Sequence, residues 1–123
     1  MLFKRTLLEK IIAGEKTATR RPTERKPGRR VFEVGERVGV RNGYVKFKAY
    51  ITIVRRYRQK LGDMTDEDAR KEGCKDLEDF KRIWKKIYRK WNPRKVVWVY
   101  EFKLATEDSA STDKPVQQAT LST

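Results

Sequence analysis

The stretch "ERVGVRNGYVKFKAYITIVRRYR", residues 36 to 58, restricts the fold more than any other. Two alternating runs flank Asn42-Gly43, the residue pair suited to a two-residue type I′ turn, in which both central residues take positive φ. Strands joined this tightly can only lie antiparallel. The second run is long, from Tyr44 to about Tyr57, so the sheet must contain one extended strand. The closing run "KVVWVYEFKL" is apolar on both faces at first and alternates later, as expected of a strand in a small curled or closed sheet.

Helices are signalled around these strands. "TLLE" at residues 6 to 9 has the form of a capping box, with Thr6 as N-cap and Glu9 three residues on. Leu7, Leu8, Ile11 and Ile12 then share one helical face, and Gly14 is placed to end the helix. "KTATRR" alternates and reads as a strand, and "PTERKPGRR" reads as a loop. In "MTDEDARKEG", Thr65 is the expected N-cap and Gly73 the stop. Asp76 is the expected cap of a longer helix carrying Leu77, Phe80, Ile83, Trp84, Ile87, Tyr88 and Trp91, which Asn92-Pro93 ends. Trp84 and Trp91 fall inside this apolar arc and read as core residues. The order predicts an α+β fold over residues 1–104: a small, curled or closed, mostly antiparallel β-barrel with helices packed at one side. Residues 105–123 turn to Ser, Thr, Gln and Asp and read as a disordered tail.

Charge narrows the partners. The 123 residues hold 31 Lys and Arg against 17 Asp and Glu, a formal +14. Taking off the tail's one base and three acids leaves 30 against 14, or +16, on residues 1–104. Heat-adapted chains enrich both signs together, so an excess of one sign points instead to an anionic partner, and nucleic acid leads. The cations form three clusters. Arg20, Arg21, Arg25, Lys26, Arg29 and Arg30 crowd the loop. Arg55, Arg56, Arg58 and Lys60 surround Tyr57. Lys81, Arg82, Lys85, Lys86, Arg89 and Lys90 occupy the polar side of the long helix. Arg predominates in the loop, where its planar fork suits phosphate.

Other chemistries are excluded. There is no histidine, which removes histidine-based acid–base catalysis, triads and the common zinc sites. Cys74 is the sole cysteine, so no internal disulfide forms. No apolar run approaches a membrane span and the N-terminus is charged too early for a signal peptide, so a cytoplasmic, monomeric protein without metal or cofactor is expected.

"IIAGEKTATRR", followed by "VGERVGV", "MTDEDARKEG", "LEDFKRIW" and "WVYEF", resembles the ASCH domain family, in its small stand-alone archaeal type, over nearly all of residues 2 to 104. The resemblance implies a β-barrel related to the PUA RNA-binding fold. It also implies a cleft between barrel and helices lined by Gly14, Lys16, Thr19 and Arg21. Family members are expected to bind RNA or nucleotides. One bacterial branch consists of amidohydrolases that deacetylate N4-acetylcytidine with a Lys, a Thr and a Glu, which fall on Lys16, Thr19 and Glu72. A ribonuclease is a third option, resting on a Lys and Glu acid–base pair.

These positions can also be read without the family. Lys16 follows a helix C-terminus, where a cation is favoured with or without function. Thr19 suits a strand. Glu72 stands in the last turn of its helix, where negative charge is disfavoured, and so is a candidate for function. The resulting expectation is an RNA-binding cleft with Lys16, Thr17, Thr19, Arg20, Arg21 and Glu72 along it. Arg25, Lys26, Arg29, Arg30, Arg55, Arg56, Lys85 and Arg89 would contact phosphates. The long basic loop and helix favour a polynucleotide over a free nucleoside.

Overall fold

The computed structural model describes residues 1–24, 26–27, 29–43 and 49–105. Arg25, Gly28, residues 44–48 and the tail from residue 106 lie outside them. The elements run α1 (Arg5–Ile12), β1 (Ala18–Pro22), β2 (Arg37–Val40), β3 (Ala49–Lys60), a 3₁₀ turn (Leu61–Asp63), α2 (Asp66–Lys71), α3 (Leu77–Tyr88) and β4 (Val96–Ala105). The four strands form one antiparallel sheet in the order β1-β4-β3-β2. The α+β class agrees with expectation. Closure does not: among the described residues the sheet is open, with β1 and β2 as its edges.

Both faces of the sheet are covered. Phe3 and the α1 residues Leu8 and Ile11 pack on Val38, Val40, Ile51, Ile53, Tyr100 and Phe102. On the other face, Ala69, Cys74, Phe80 and Trp84 pack on Leu61, Val97 and Val99. β4 lies between the two cores, which is why it is apolar on both faces. Each fully enclosed aliphatic side chain, such as Ile51 or Val97, contributes about 1.5–3 kcal/mol. Val54 is an extra residue in β3, because Ile53 pairs with Phe102 while Arg55 pairs with Glu101. This bulge resets the alternation along the long strand.

Four local expectations are corrected. Thr6 does not cap α1. The helix starts at Arg5 behind Lys4, and Glu9 pairs with Arg5 instead. Residues 1–3 pair with Arg41, and the helix entry lies two residues earlier, at Lys4 rather than Thr6. Asn42-Gly43 is not a two-residue hairpin turn either: Val40 pairs with Ala49, a register that a two-residue turn at 42–43 does not give, and the start of the expected second run, residues 44–48, lies outside the described residues. The Asn42 amide instead donates to the Phe3 carbonyl at 2.9 Å. α3 ends at Tyr88, before Asn92-Pro93, with Arg89 in the left-handed region at φ 76°. Trp91 therefore lies past the helix but packs edge-on to Phe80. β1 begins at Ala18, two residues after Lys16. Thr65 and Asp76 cap α2 and α3 as expected. No helix among the described residues is long and apolar enough to cross a membrane.

Candidate functional site

Two helix ends meet at the site, and each is turned by a glycine. At the end of α1, Gly14 takes φ +80°. Its N–H donates to the Ile11 carbonyl at 3.0 Å, and Glu15 and Lys16 N–H both donate to the Lys10 carbonyl. At the end of α2, Gly73 takes φ +89°, with Gly73 N–H on the Arg70 carbonyl and Cys74 N–H on the Ala69 carbonyl. Both are Schellman-type closures that satisfy the final carbonyls. They are tied together by Lys10 Nζ on the Gly73 carbonyl and by Thr17 N–H on the Lys71 carbonyl at 2.7 Å. The closures position Lys16 in the turn ahead of β1 and Glu72 at the C-cap of α2. Because Lys16 precedes the strand, its side chain is not bound by the alternation of β1.

The Lys16 ammonium uses all three donors. It reaches Glu72 Oε1 at 2.9 Å, the Glu72 carbonyl at 3.0 Å and the Ala18 carbonyl at 2.8 Å. The second Glu72 oxygen accepts from Arg20 Nη1 at 2.8 Å. Arg20 also donates to Gln59 Oε1 from Nε and Nη2 and lies 3.7 Å from Asp68. Side-chain exposure is 2% for Lys16, 5% for Glu72 and 1% for Arg20. Burial holds the Lys16 pKa below the ordinary lysine value, against the opposing pull of Glu72. Two cations and two carboxylates balance in this network. Arg21 adds a further positive charge beside it.

This network floors a cavity of about 340 Å³ between α1, β1 and α3. Phe3, Leu7, Ile83, Trp84, Ile87 and Tyr88 make its walls, and Lys16, Thr19, Arg20, Arg21 and Glu72 its polar part. Arg21 lies over the Phe3 ring and donates to the Leu2 carbonyl at 2.8 Å and to Thr19 Oγ1 at 3.3 Å. Thr19 is buried. Its hydroxyl is engaged by Arg21 rather than by Lys16 or Glu72. Cys74 also lines the cavity, but burial pushes its thiol up to about 11.

The expected residues thus separate into groups. Lys16, Thr19, Arg20, Arg21 and Glu72 converge on one cavity. Arg20 is enclosed by protein partners rather than turned toward solvent phosphate. Thr17 is exposed, and its backbone ties β1 to α2 and β4. Lys26, Arg29 and Arg30 stand outside the cavity, with Arg29 on the Glu24 carbonyl and Arg30 paired to Glu36. Arg55 pairs with Glu101, and Arg56 with Glu33. Lys85 lies in a shallow groove on the outer side of α3, and exposed Arg89 caps the helix end. On that helix, Lys81 and Arg82 pair with Glu78 and Asp79 of its own first turn.

Gln59, Asp68 and Phe3 were not singled out by the sequence. Asp68 had a signal, since it stands at the N3 position of the Thr65 capping box; Gln59 had none. No cluster of His, Cys, Asp or Glu that could hold a metal occurs among the described residues.

The sequence pattern of the ASCH domain matches residues 1–106. Among curated proteins nothing matches. The ASCH domain from Lactobacillus crispatus JV V101 superposes with TM-score 0.70 at 19% identity, over 80% of this chain and 70% of that one. Protein EF3133 from Enterococcus faecalis V583 gives TM-score 0.62 at 15% identity, over 81% and 70%. The Y47F mutant of ZmASCH from Zymomonas mobilis gives 0.55 at 9%, over 88% and 74%. At these identities the likeness is one of fold.

Proposed function

The chain belongs to the ASCH domain family, and from that premise we propose that it binds RNA by holding one nucleotide of the strand in the cavity between α1, β1 and α3. The observation that carries this reading is the make-up of that cavity. Aromatic and aliphatic walls, with Trp84 and Tyr88 among them, face a buried polar floor of Lys16, Glu72 and Arg20. A base needs the same combination: apolar surface against its faces and fixed polar groups at its edge. The volume falls in the range of small-ligand sites. Arg21 at the cavity, the exposed Lys26, Arg30, Arg55, Lys85 and Arg89, and the half-buried Arg29 and Arg56 supply positive charge for phosphates.

Fluorescence anisotropy with a labelled single-stranded RNA tests the reading. Affinity is expected to fall with salt, with a slope of about 0.7 per phosphate neutralised, and to drop in Lys16→Met. Affinity indifferent to both salt and Lys16→Met would overturn it.

A second reading, amidohydrolysis of N4-acetylcytidine, is favoured by one specific contact, Lys16 Nζ at 2.9 Å from Glu72 Oε1, with Thr19 lining the same cavity. Here the Thr19 hydroxyl attacks the amide carbon, the Glu72 carboxylate takes its proton and passes it to the departing cytosine N4, and the Lys16 ammonium stabilises the developing negative charge. Water then releases acetate from Thr19. No metal is required. Turnover of N4-acetylcytidine should be lost in both Lys16→Ala and Glu72→Ala; turnover surviving both removes the assignment.

A further inference from the structure

Where one face of the sheet emerges from under its core, it carries a second cationic patch that shares Arg21 with the cavity. Cross-strand register sets Arg21 of β1, Trp98 of β4 and Arg58 of β3 side by side, and the neighbouring row is Thr19, Tyr100 and Arg56. Residues directly opposite in an antiparallel ladder share a face, so both rows lie on the same side of the sheet. Arg55 pairs with Glu101 and belongs to the other side. The adjacent arginines 55 and 56 therefore serve different surfaces.

The guanidinium carbons of Arg56 and Arg58 lie 4.9 and 5.2 Å from the centre of the Trp98 ring. A guanidinium held against an indole is oriented by its flat face, which leaves its in-plane N–H groups for an anion. Arg56 spends part of this capacity on the Phe32 carbonyl at 3.1 Å and on Glu33. Arg58 is exposed and has no ion pair among the described residues. Cations gathered in neighbouring positions repel unless an anion lies among them. Arg21 belongs to both features, since it lines the cavity and ends the Trp98 row. With strands about 4.8 Å apart, the row runs roughly 10 Å from Arg21 to Arg58.

We infer that Trp98, Arg56 and Arg58 form a second RNA subsite, which takes the phosphates of nucleotides flanking the one in the cavity, with Arg21 as the junction. The ligand is then a single-stranded oligonucleotide rather than a free nucleotide. This rests on the cavity reading above, and the test separates the two.

Cytidine 5′-monophosphate and a short single-stranded RNA are titrated into the wild type, Arg58→Glu, Trp98→Leu and Lys16→Met, with circular dichroism confirming the fold of each. Arg58→Glu should weaken the oligonucleotide about tenfold or more and lower the salt slope by about 0.7 for each phosphate no longer neutralised. The monophosphate affinity should stay unchanged. Trp98→Leu should weaken the oligonucleotide in the same direction, by less. An oligonucleotide affinity and salt slope unchanged in Arg58→Glu would overturn the subsite, whatever Lys16→Met does. If Arg58→Glu weakens the oligonucleotide while Lys16→Met affects neither ligand, the sheet subsite stands and the cavity reading falls.

Discussion

Replacing Glu72 by Gln keeps the size of the side chain and removes one charge from the cavity floor. The carboxylate accepts from Lys16 at 2.9 Å and from Arg20 at 2.8 Å, and none of the three side chains is more than 5% exposed. Removing one partner of a buried pair costs about 3–5 kcal/mol, because a charge is left buried and unpaired. Arg20 retains Gln59 and has Asp68 at 3.7 Å, so most of the penalty falls on Lys16. Lysine can escape by giving up its proton. Burial already lowers its pKa, and Glu72 is the main group resisting that; without Glu72 the pKa falls further. Between this folded value and the unfolded value near 10.4, the folded state binds fewer protons than the unfolded one, so stability rises with pH there. Below the folded value the whole penalty is present. Urea unfolding followed by tryptophan fluorescence, at about pH 7 and about pH 9, measures this. Glu72→Gln should be less stable by about 3–5 kcal/mol near neutrality with an unchanged m-value, and the gap should narrow at the higher pH. Lys16→Met/Glu72→Gln should cost less than Glu72→Gln alone. A single variant within about 1 kcal/mol of wild type at neutral pH, or a gap that widens with pH, would refute the buried ionic floor.

Gly73→Ala should destabilise by about 1–2 kcal/mol and disturb the site. Its φ is +89°, and the added Cβ would meet Lys10 Cδ at 3.1 Å and Lys16 Cβ at 3.3 Å; a lower urea midpoint together with weaker RNA binding checks this. The Cys74 thiol, with its pKa raised to about 11, should react with iodoacetamide at pH 8 on the order of 10²-fold slower than an ordinary thiol of pKa near 8.5, with the rate rising as pH approaches 11. Asp68→Ala removes the acceptor for Thr65 N–H at 3.1 Å and for Gln59 Nε2 at 3.4 Å, and should lower stability by about 1 kcal/mol in the same urea assay.

Among the described residues, periodicity and punctuation located the α-helices and strand cores, because those signals are local. Gly14 and Gly73 announced their helix ends, and Asp76 and Thr65 their starts. Glu72 was legible as a carboxylate at the wrong end of a helix. Its answer, two cations from Lys16 and Arg20, comes from more than fifty residues away in sequence, where no local pattern reaches. A similar separation hid Gln59. Thr6 and Asn42-Gly43 carried strong local signals that tertiary pairing overrode, since residues 1–3 pair with Arg41 and Val40 pairs with Ala49. Barrel closure depends on whether the edge strands meet, and alternation within a strand does not encode that. Arg20 shows the limit of reading charge alone: amid a basic run it looked phosphate-facing, yet β1 turns it inward onto Glu72.

A crystal structure of the protein with a short single-stranded RNA decides whether the cavity is the binding site. One base should lie inside it, against the Trp84 and Tyr88 wall and within hydrogen-bond reach of Lys16, Thr19 or Glu72, with the flanking phosphate at Arg21. An RNA bound only on an outer surface, with the cavity free of any base, would contradict it.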